Sequence, residues 1–276
     1  LFESPDKILA VNKLKIDDLA YLICRGGWPF ACGLEAEAAL SQAFDYVDAV
    51  IKKDISRVDG VNRNSTTARL LLRSYARNQG SQATIGTIVA DMATNDENEI
   101  SVKTAGGYME ALRKIFVIED SEAWNPNLRS KTAVRTANTR YFIDPSIGTA
   151  VLGLGPNDLL KDLNTMGLFF ETLCVRDLRV FADAIDGEVY HFRDRSGLEC
   201  DAVVHLRNGK YGLVEIKLGG DRLINEGAEN LQKLAEKINT EKMNEPSFMM
   251  VLVGTGDYAY RRTDGVYVVP IGCLKD

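Results

Sequence analysis

The chain has 276 residues, enough for two small domains or one large one. Hydrophobic residues make up 45% and charged residues 26% of it, the balance of an ordinary soluble globular protein. No stretch approaches the roughly 18 consecutive apolar residues of a membrane-spanning helix, and the net charge of −6 argues against a chain that is basic throughout.

That charge is uneven. Residues 1–60 hold 7 Lys/Arg against 10 Asp/Glu, residues 61–140 hold 11 against 8, and residues 141–276 hold 15 against 21. Phosphate-backbone binding needs local positive potential, which only the middle third offers. The start, Leu1-Phe2-Glu3-Ser4-Pro5, has neither an initiator Met nor a signal-peptide pattern, so the chain reads as part of something longer. Five scattered cysteines (Cys24, Cys32, Cys174, Cys200 and Cys273) form no CxxC pair. They read as core thiols of a reducing, cytoplasmic protein.

In chain order, Ser4-Pro5 suggests an N-cap followed by Pro at the first helical position. A helix over 17–25 should stop at Gly26-Gly27, and a long one should run over 34–57. Residues 1–58 are thus expected to be a helical segment. Helices over 66–78, 84–92 and 102–113 follow, with a polar loop over 94–100. Two short strands, 115–118 and 140–143, could then pair across a polar loop. That order fits a winged helix-turn-helix over 59–145, with Ser101–Arg113 as recognition helix and Ala123–Arg140 as wing. Its nucleic-acid contacts would be Lys103, Arg113, Lys114, Lys131 and Arg135. A helical spacer with no such role stays open, and Gly106-Gly107 weakens the recognition helix.

Residues 146–276 predict an α/β (α+β) unit with a mixed sheet flanked by helices. The expected order is helix 167–182, strands 188–193, 199–206 and 210–217, helix 223–239, strand 247–253, and a final strand pair near 258–262 and 266–269. The apolar run Phe248–Val253 suits a strand buried on both faces.

Asp201 lies on one strand of the expected hairpin at Asn208-Gly209, and Glu215 and Lys217 lie on the other. Register decides whether they meet. A two-residue loop opposes Asp201 to Ile216 and turns it away from both. A three-residue loop, Arg207-Asn208-Gly209 with Gly209 left-handed, opposes Asp201 to Glu215 and Glu199 to Lys217, and is the one expected. One face then carries Cys200, Ala202, Val204, Leu206, Gly212, Val214 and Ile216. The other carries the charges with Val203, His205, Tyr211 and Leu213, and is expected to be partly covered. Glu171 falls on an apolar helical stripe with Leu168, Cys174, Val175 and Leu178, where a carboxylate must be paired, protonated or bound to a cation. Asp201, Glu215 and Glu171 supply hard oxygen ligands suited to Mg²⁺ or Mn²⁺, and Lys217 would act on a metal-bound water. A solvent face with one surface ion pair is the bland alternative. His205 is expected at the rim of this site, and His191 to be structural.

Glu171, Asp201 and Glu215-Ile216-Lys217 on helix–strand–strand–strand–helix–strand resemble the PD-(D/E)xK nuclease superfamily, although no Pro precedes the Asp. More narrowly, nearly the whole chain resembles the C-terminal region of prokaryotic AAA-type ATPases. The matching pieces are Gly26-Gly27-Trp28-Pro29, Lys53-Asp54-Ile55, Arg140-Tyr141-Phe142-Ile143-Asp144, Gly167-Leu168-Phe169-Phe170-Glu171, Phe192-Arg193 and Gly197-Leu198-Glu199-Cys200-Asp201. The resemblance implies a winged helix followed by a nuclease-like domain of unsettled activity, and catalytic roles for Glu171, Asp201, Glu215 and Lys217. No GxxxxGK[ST] loop occurs, so ATP is expected only through an ATPase domain outside this chain. Two readings stand: metal-dependent cleavage of DNA, or a non-catalytic DNA-binding or protein-interaction module with a structural carboxylate–lysine cluster. No membrane partner is expected, and the oligomeric state stays open.

Overall fold

A computed structural model describes residues 1–3, 10–93, 100–125, 137–238, 240 and 243–274. The expected helix start at Ser4-Pro5 and most of the 94–100 loop lie outside these residues. The fold is mixed α+β, as expected: a helical region precedes, in chain order, a six-stranded mixed sheet flanked by helices. Two compact units are present, each with its own core. The helical unit comprises Ala20–Asp120 and Thr139–Leu173; the sheet unit comprises Leu1–Leu19, Ser121–Asn138 and Cys174–Asp276.

The helical unit begins within α1 (Ile16–Arg25) and continues through α2 (Ala36–Ala49), which passes through a π-turn over Val50–Asp54 into α3 (Ile55–Arg57). The long periodic run is thus a helix with an under-wound break rather than one uniform helix. Next come α4 (Ser65–Arg77), α5 (Ile85–Ala93), α6 (Val102–Lys114), α7 (Pro145–Leu152), α8 (Pro156–Lys161) and α9 (Leu163–Asp183), whose residues from Cys174 on belong to the sheet unit. Asn64 and Ser101 cap α4 and α6 by accepting the amides of Thr67 and Thr104, meeting donors that a helix start leaves unpaired. Leu71, Leu72, Tyr75, Ile88, Met109, Leu112, Phe142 and Ile147 are among the residues that form the core.

In place of the expected ribbon after α6 there is isolated bridging, Ile118 to Phe142, bordered by bonds from Glu119 N–H to the Tyr141 carbonyl and from Ile143 N–H to the Val117 carbonyl. Phe116 has φ 55°, a left-handed conformation that ends any extended run at that residue. Asp120 fastens this region by accepting from the Tyr75 hydroxyl, Arg113 and Arg140.

In the sheet unit the strands are β1 (Gly187–Arg193), β2 (Glu199–Leu206), β3 (Tyr211–Lys217), β4 (Phe248–Val253), β5 (Tyr260–Arg261) and β6 (Tyr267–Pro270), in spatial order β1-β2-β3-β4-β6-β5. β1, β2 and β3 are antiparallel neighbours, whereas β3, β4 and β6 run parallel. Helix α10 (Asp221–Lys237) crosses over between β3 and β4 and covers one face, where Ile224, Ala228, Leu231 and Leu234 pack on Val203, Leu213 and Val251. The face that carries the charges is therefore roofed by α10. Part of the segment expected as a wing belongs to this sheet: Glu122 accepts from His191 N–H, and Trp124 N–H donates to the His191 carbonyl. Those bonds cover part of the free edge of β1. Residues 126–136, with Lys131 and Arg135, lie outside the described residues.

Candidate functional site: a carboxylate–lysine cluster at a splayed strand pair

The β2–β3 turn has the three-residue loop that convergence of the charges requires. Leu206 N–H bonds to the Lys210 carbonyl at 2.8 Å, and Gly209 takes φ 85°, a conformation that glycine adopts without cost. The ladder pairs His205 with Tyr211 and Ala202 with Val214, the odd-loop parity that convergence of the charges requires.

Beyond Ala202 the strands part. On its other side, β2 pairs Val203 with Tyr190 and Cys200 with Phe192, so Ala202 and Asp201 together oppose the single residue His191. This β-bulge re-aims the side chains that follow it. Asp201 places Oδ2 2.7 Å from the Ile216 N–H, supplying an acceptor where the strand ladder has ended. Cys200 was expected on the opposite face from Val203, yet it packs in the same cluster with Val203 and Leu213. The extra residue of the bulge reverses the face alternation at that point.

The same Asp201 oxygen accepts from Lys217 Nζ at 3.2 Å, and Lys217 Nζ lies 2.6 Å from Glu215 Oε2. The side chains of Asp201 and Lys217 are 19% and 23% exposed, whereas Glu215 is 2% exposed. Glu215 is buried because α10 comes close: a Cβ added at Gly227 would lie 3.3 Å from Glu215 Cβ and from a Val251 methyl. Sequence reasoning missed Gly227, although an isolated glycine within a helical run is the usual sign of such an approach.

Burial, joined by the charge of Asp201, pushes the Glu215 carboxyl up to about 8 against the pull of Lys217. For Lys217 burial pulls downward, but Asp201 and Glu215 outweigh it and hold the ammonium above its usual range. Lys217 thus stays cationic, and Glu215 is the member that changes charge near neutral pH.

Glu171 belongs to the helical unit, where it accepts the Tyr141 hydroxyl at 2.5 Å and lies against Gly80. Among the described residues, no group of three or more His, Cys, Asp or Glu side chains is arranged to hold a metal ion. A hard divalent cation, however, is held by as few as one or two carboxylates with waters and phosphate oxygens. Asp201 Oδ1 and Glu215 Oε1 accept no hydrogen bond among the described residues, because Lys217 engages the other oxygen of each. The donor set at the splay therefore fits a two-carboxylate site.

Of the expected phosphate contacts, Lys103 is exposed in the first turn of α6. Arg113 is ion-paired with Asp120 and Lys114 with Glu110. His205 is partly buried beside Trp124 and Tyr211. His191 is 3% exposed, with Nδ1 3.0 Å from the Ser121 carbonyl and Nε2 buried without a partner among the described residues.

Fold and cluster together define an α+β protein with a carboxylate–lysine site where two inner strands of a mixed sheet part. Residues 16–158, more than half of the chain, match the family described as a domain of unknown function (DUF8612), and the chain belongs to that family. Residues 166–274 match a second domain of unknown function, DUF4143, which occurs in AAA-ATPase-associated proteins. No curated protein matches the chain. Among the described residues no helix is long and apolar enough to cross a membrane.

Proposed function

We propose that this chain is the C-terminal region of an AAA-type ATPase, with a winged-helix-like module before a PD-(D/E)xK nuclease-like module that acts on DNA phosphodiesters. The observation that carries this reading is the meeting of Asp201, Glu215 and Lys217 where β2 and β3 part. Asp201 and Glu215 would hold Mg²⁺ or Mn²⁺, which supplies charge neutralisation at phosphorus and an acidified water. Lys217 stays protonated and would orient the attacking oxygen. In this reading ATP belongs to the ATPase domain that accompanies such regions. No cysteine is in a disulfide among the described residues, in keeping with a cytoplasmic protein.

A second reading is a non-catalytic DNA-binding or protein-interaction module. The 2% exposure of Glu215 and its direct pair with Lys217 favour it, because a closed pair resists opening for a cation.

Calorimetric titration of Mn²⁺ into wild type and Asp201→Asn, followed by incubation with supercoiled plasmid, decides between them. Binding heat that Asp201→Asn abolishes, together with plasmid nicking, is expected. Heat without nicking points to the second reading, and equal heats in both proteins defeat the cation site.

A further inference from the structure

We propose that the outer face of α4 is a docking surface for the phosphate backbone of nucleic acid. Its sequence, STTARLLLRSYAR, holds three arginines and no acidic residue. Arg69, Arg73 and Arg77 recur every fourth position, so they form one row with steps of about 6 Å along the helix. The opposite face, with Ala68, Leu71, Leu72, Tyr75 and Ala76, is buried in the core of the helical unit. All three arginines are exposed.

Arg69 shares Asp48 with Lys52, which adds a fourth exposed cation beside the row. Arg77 pairs with Asp91. Arg73, the central member, has no ionic partner among the described residues. Among the described residues, Asp48 and Asp91 are the carboxylates paired with these four cations, an excess of two positive charges. The ion pairs are exposed and salt-screened, and phosphate oxygens compete with such carboxylates readily. On α6, by contrast, Glu110 and Asp120 hold Lys114 and Arg113.

Phosphate suits this face better than an acidic protein does. The guanidinium fork binds phosphate through two parallel hydrogen bonds, and no large hydrophobic side chain is exposed on α4 to seed the apolar core of a protein interface. The surface lies wholly in the helical unit and does not require the Asp201 cluster to bind a cation.

The test is fluorescence anisotropy of a labelled DNA duplex of about 20 base pairs with the full chain, at salt between about 50 and 200 mM. Removing three phosphate contacts with Arg69→Gln/Arg73→Gln/Arg77→Gln is expected to weaken binding at least about tenfold. It should also cut the log–log salt slope by about two to three. Arg73→Lys should retain binding, and circular dichroism should show each variant folded. Unchanged affinity and slope in the triple variant would overturn the proposal. So would failure of the wild type to bind DNA, or a preference for polyglutamate, which would mark an acidic protein partner. The titration is run with a chelator and no divalent cation, so loss of the cation site and loss of this surface are separable outcomes.

Discussion

Replacing Glu215 by Gln should make the chain less stable than wild type in acid and more stable in alkali. In the folded protein burial raises this carboxyl from 4.5 to about 8. A group whose folded pKa is raised contributes stability that is complete below its unfolded pKa and is lost as pH rises through the folded value. The window therefore runs from about pH 4.5 to about pH 8. At roughly 1.4 kcal/mol per unit, the wild type loses on the order of 4–5 kcal/mol across it from this group. Glutamine has nearly the same shape and no charge to bury, so it removes that loss. It weakens the bond to Lys217, a hydrogen bond to a charged group worth about 1.5–3 kcal/mol. The two stability curves should consequently cross, with Glu215→Gln below wild type near pH 5 and above it near pH 9. The assay is urea unfolding at several pH values with a chelator present, compared at matched slopes. A stability difference between the two proteins that stays flat from pH 5 to pH 9 would refute the burial argument.

Three other outcomes are expected. Gly227→Leu should cost about 1–3 kcal/mol, since its side chain has to enter space held by Glu215 and Val251; an unchanged thermal midpoint would show that α10 is not seated there. Deleting Arg207 leaves a two-residue Asn208-Gly209 loop and slips β2 against β3 by one residue, which turns one strand's buried side chains to the wrong face. Loss of cooperative unfolding by circular dichroism is expected, and a wild-type melt would mean the register survives without an odd loop. His191 is buried with its pKa lowered from 6.5, chiefly by burial. The unfolded chain therefore takes up the proton first, so stability is intact above pH 6.5 and falls below it. His191→Gln should flatten that acid-side decline, and an unaltered difference between the two proteins across pH 5–7 would count against it.

The hairpin illustrates how far residue order alone can reach. Alternation along a strand has a period of two, so requiring Asp201 to meet Glu215 forces an odd loop, and Asn208-Gly209 supplied the turn chemistry for it. The ends of β2 and β3 lie within one residue of expectation, since polar turns bound both runs. The bulge at Asp201–Ala202 left no such mark, because it depends on how β1 is held at His191 by Glu122 and Trp124, some 70 residues away in the chain. For the same reason residues 123–125 read as the start of a wing, whereas the Trp124 N–H bonds to the sheet at His191. The missed break at Val50–Asp54 is similar: a π-turn preserves apolar periodicity well enough to be invisible in it.

Residue order alone carries the inventory and its local geometry: most of the strands and helices, the parity of the β2–β3 pair, and the need of Glu171 for a partner. Those follow from backbone periodicity and the cost of burying charge, which act over a few residues. Tertiary structure alone decided who the partners are. Glu171 bonds to Tyr141 within the helical unit, Asp201 accepts the amide of Ile216, and α10 seals Glu215 through the gap left by Gly227. Each of these is a contact between segments distant in the chain, made where two packed surfaces meet, and no local pattern encodes which surfaces those will be.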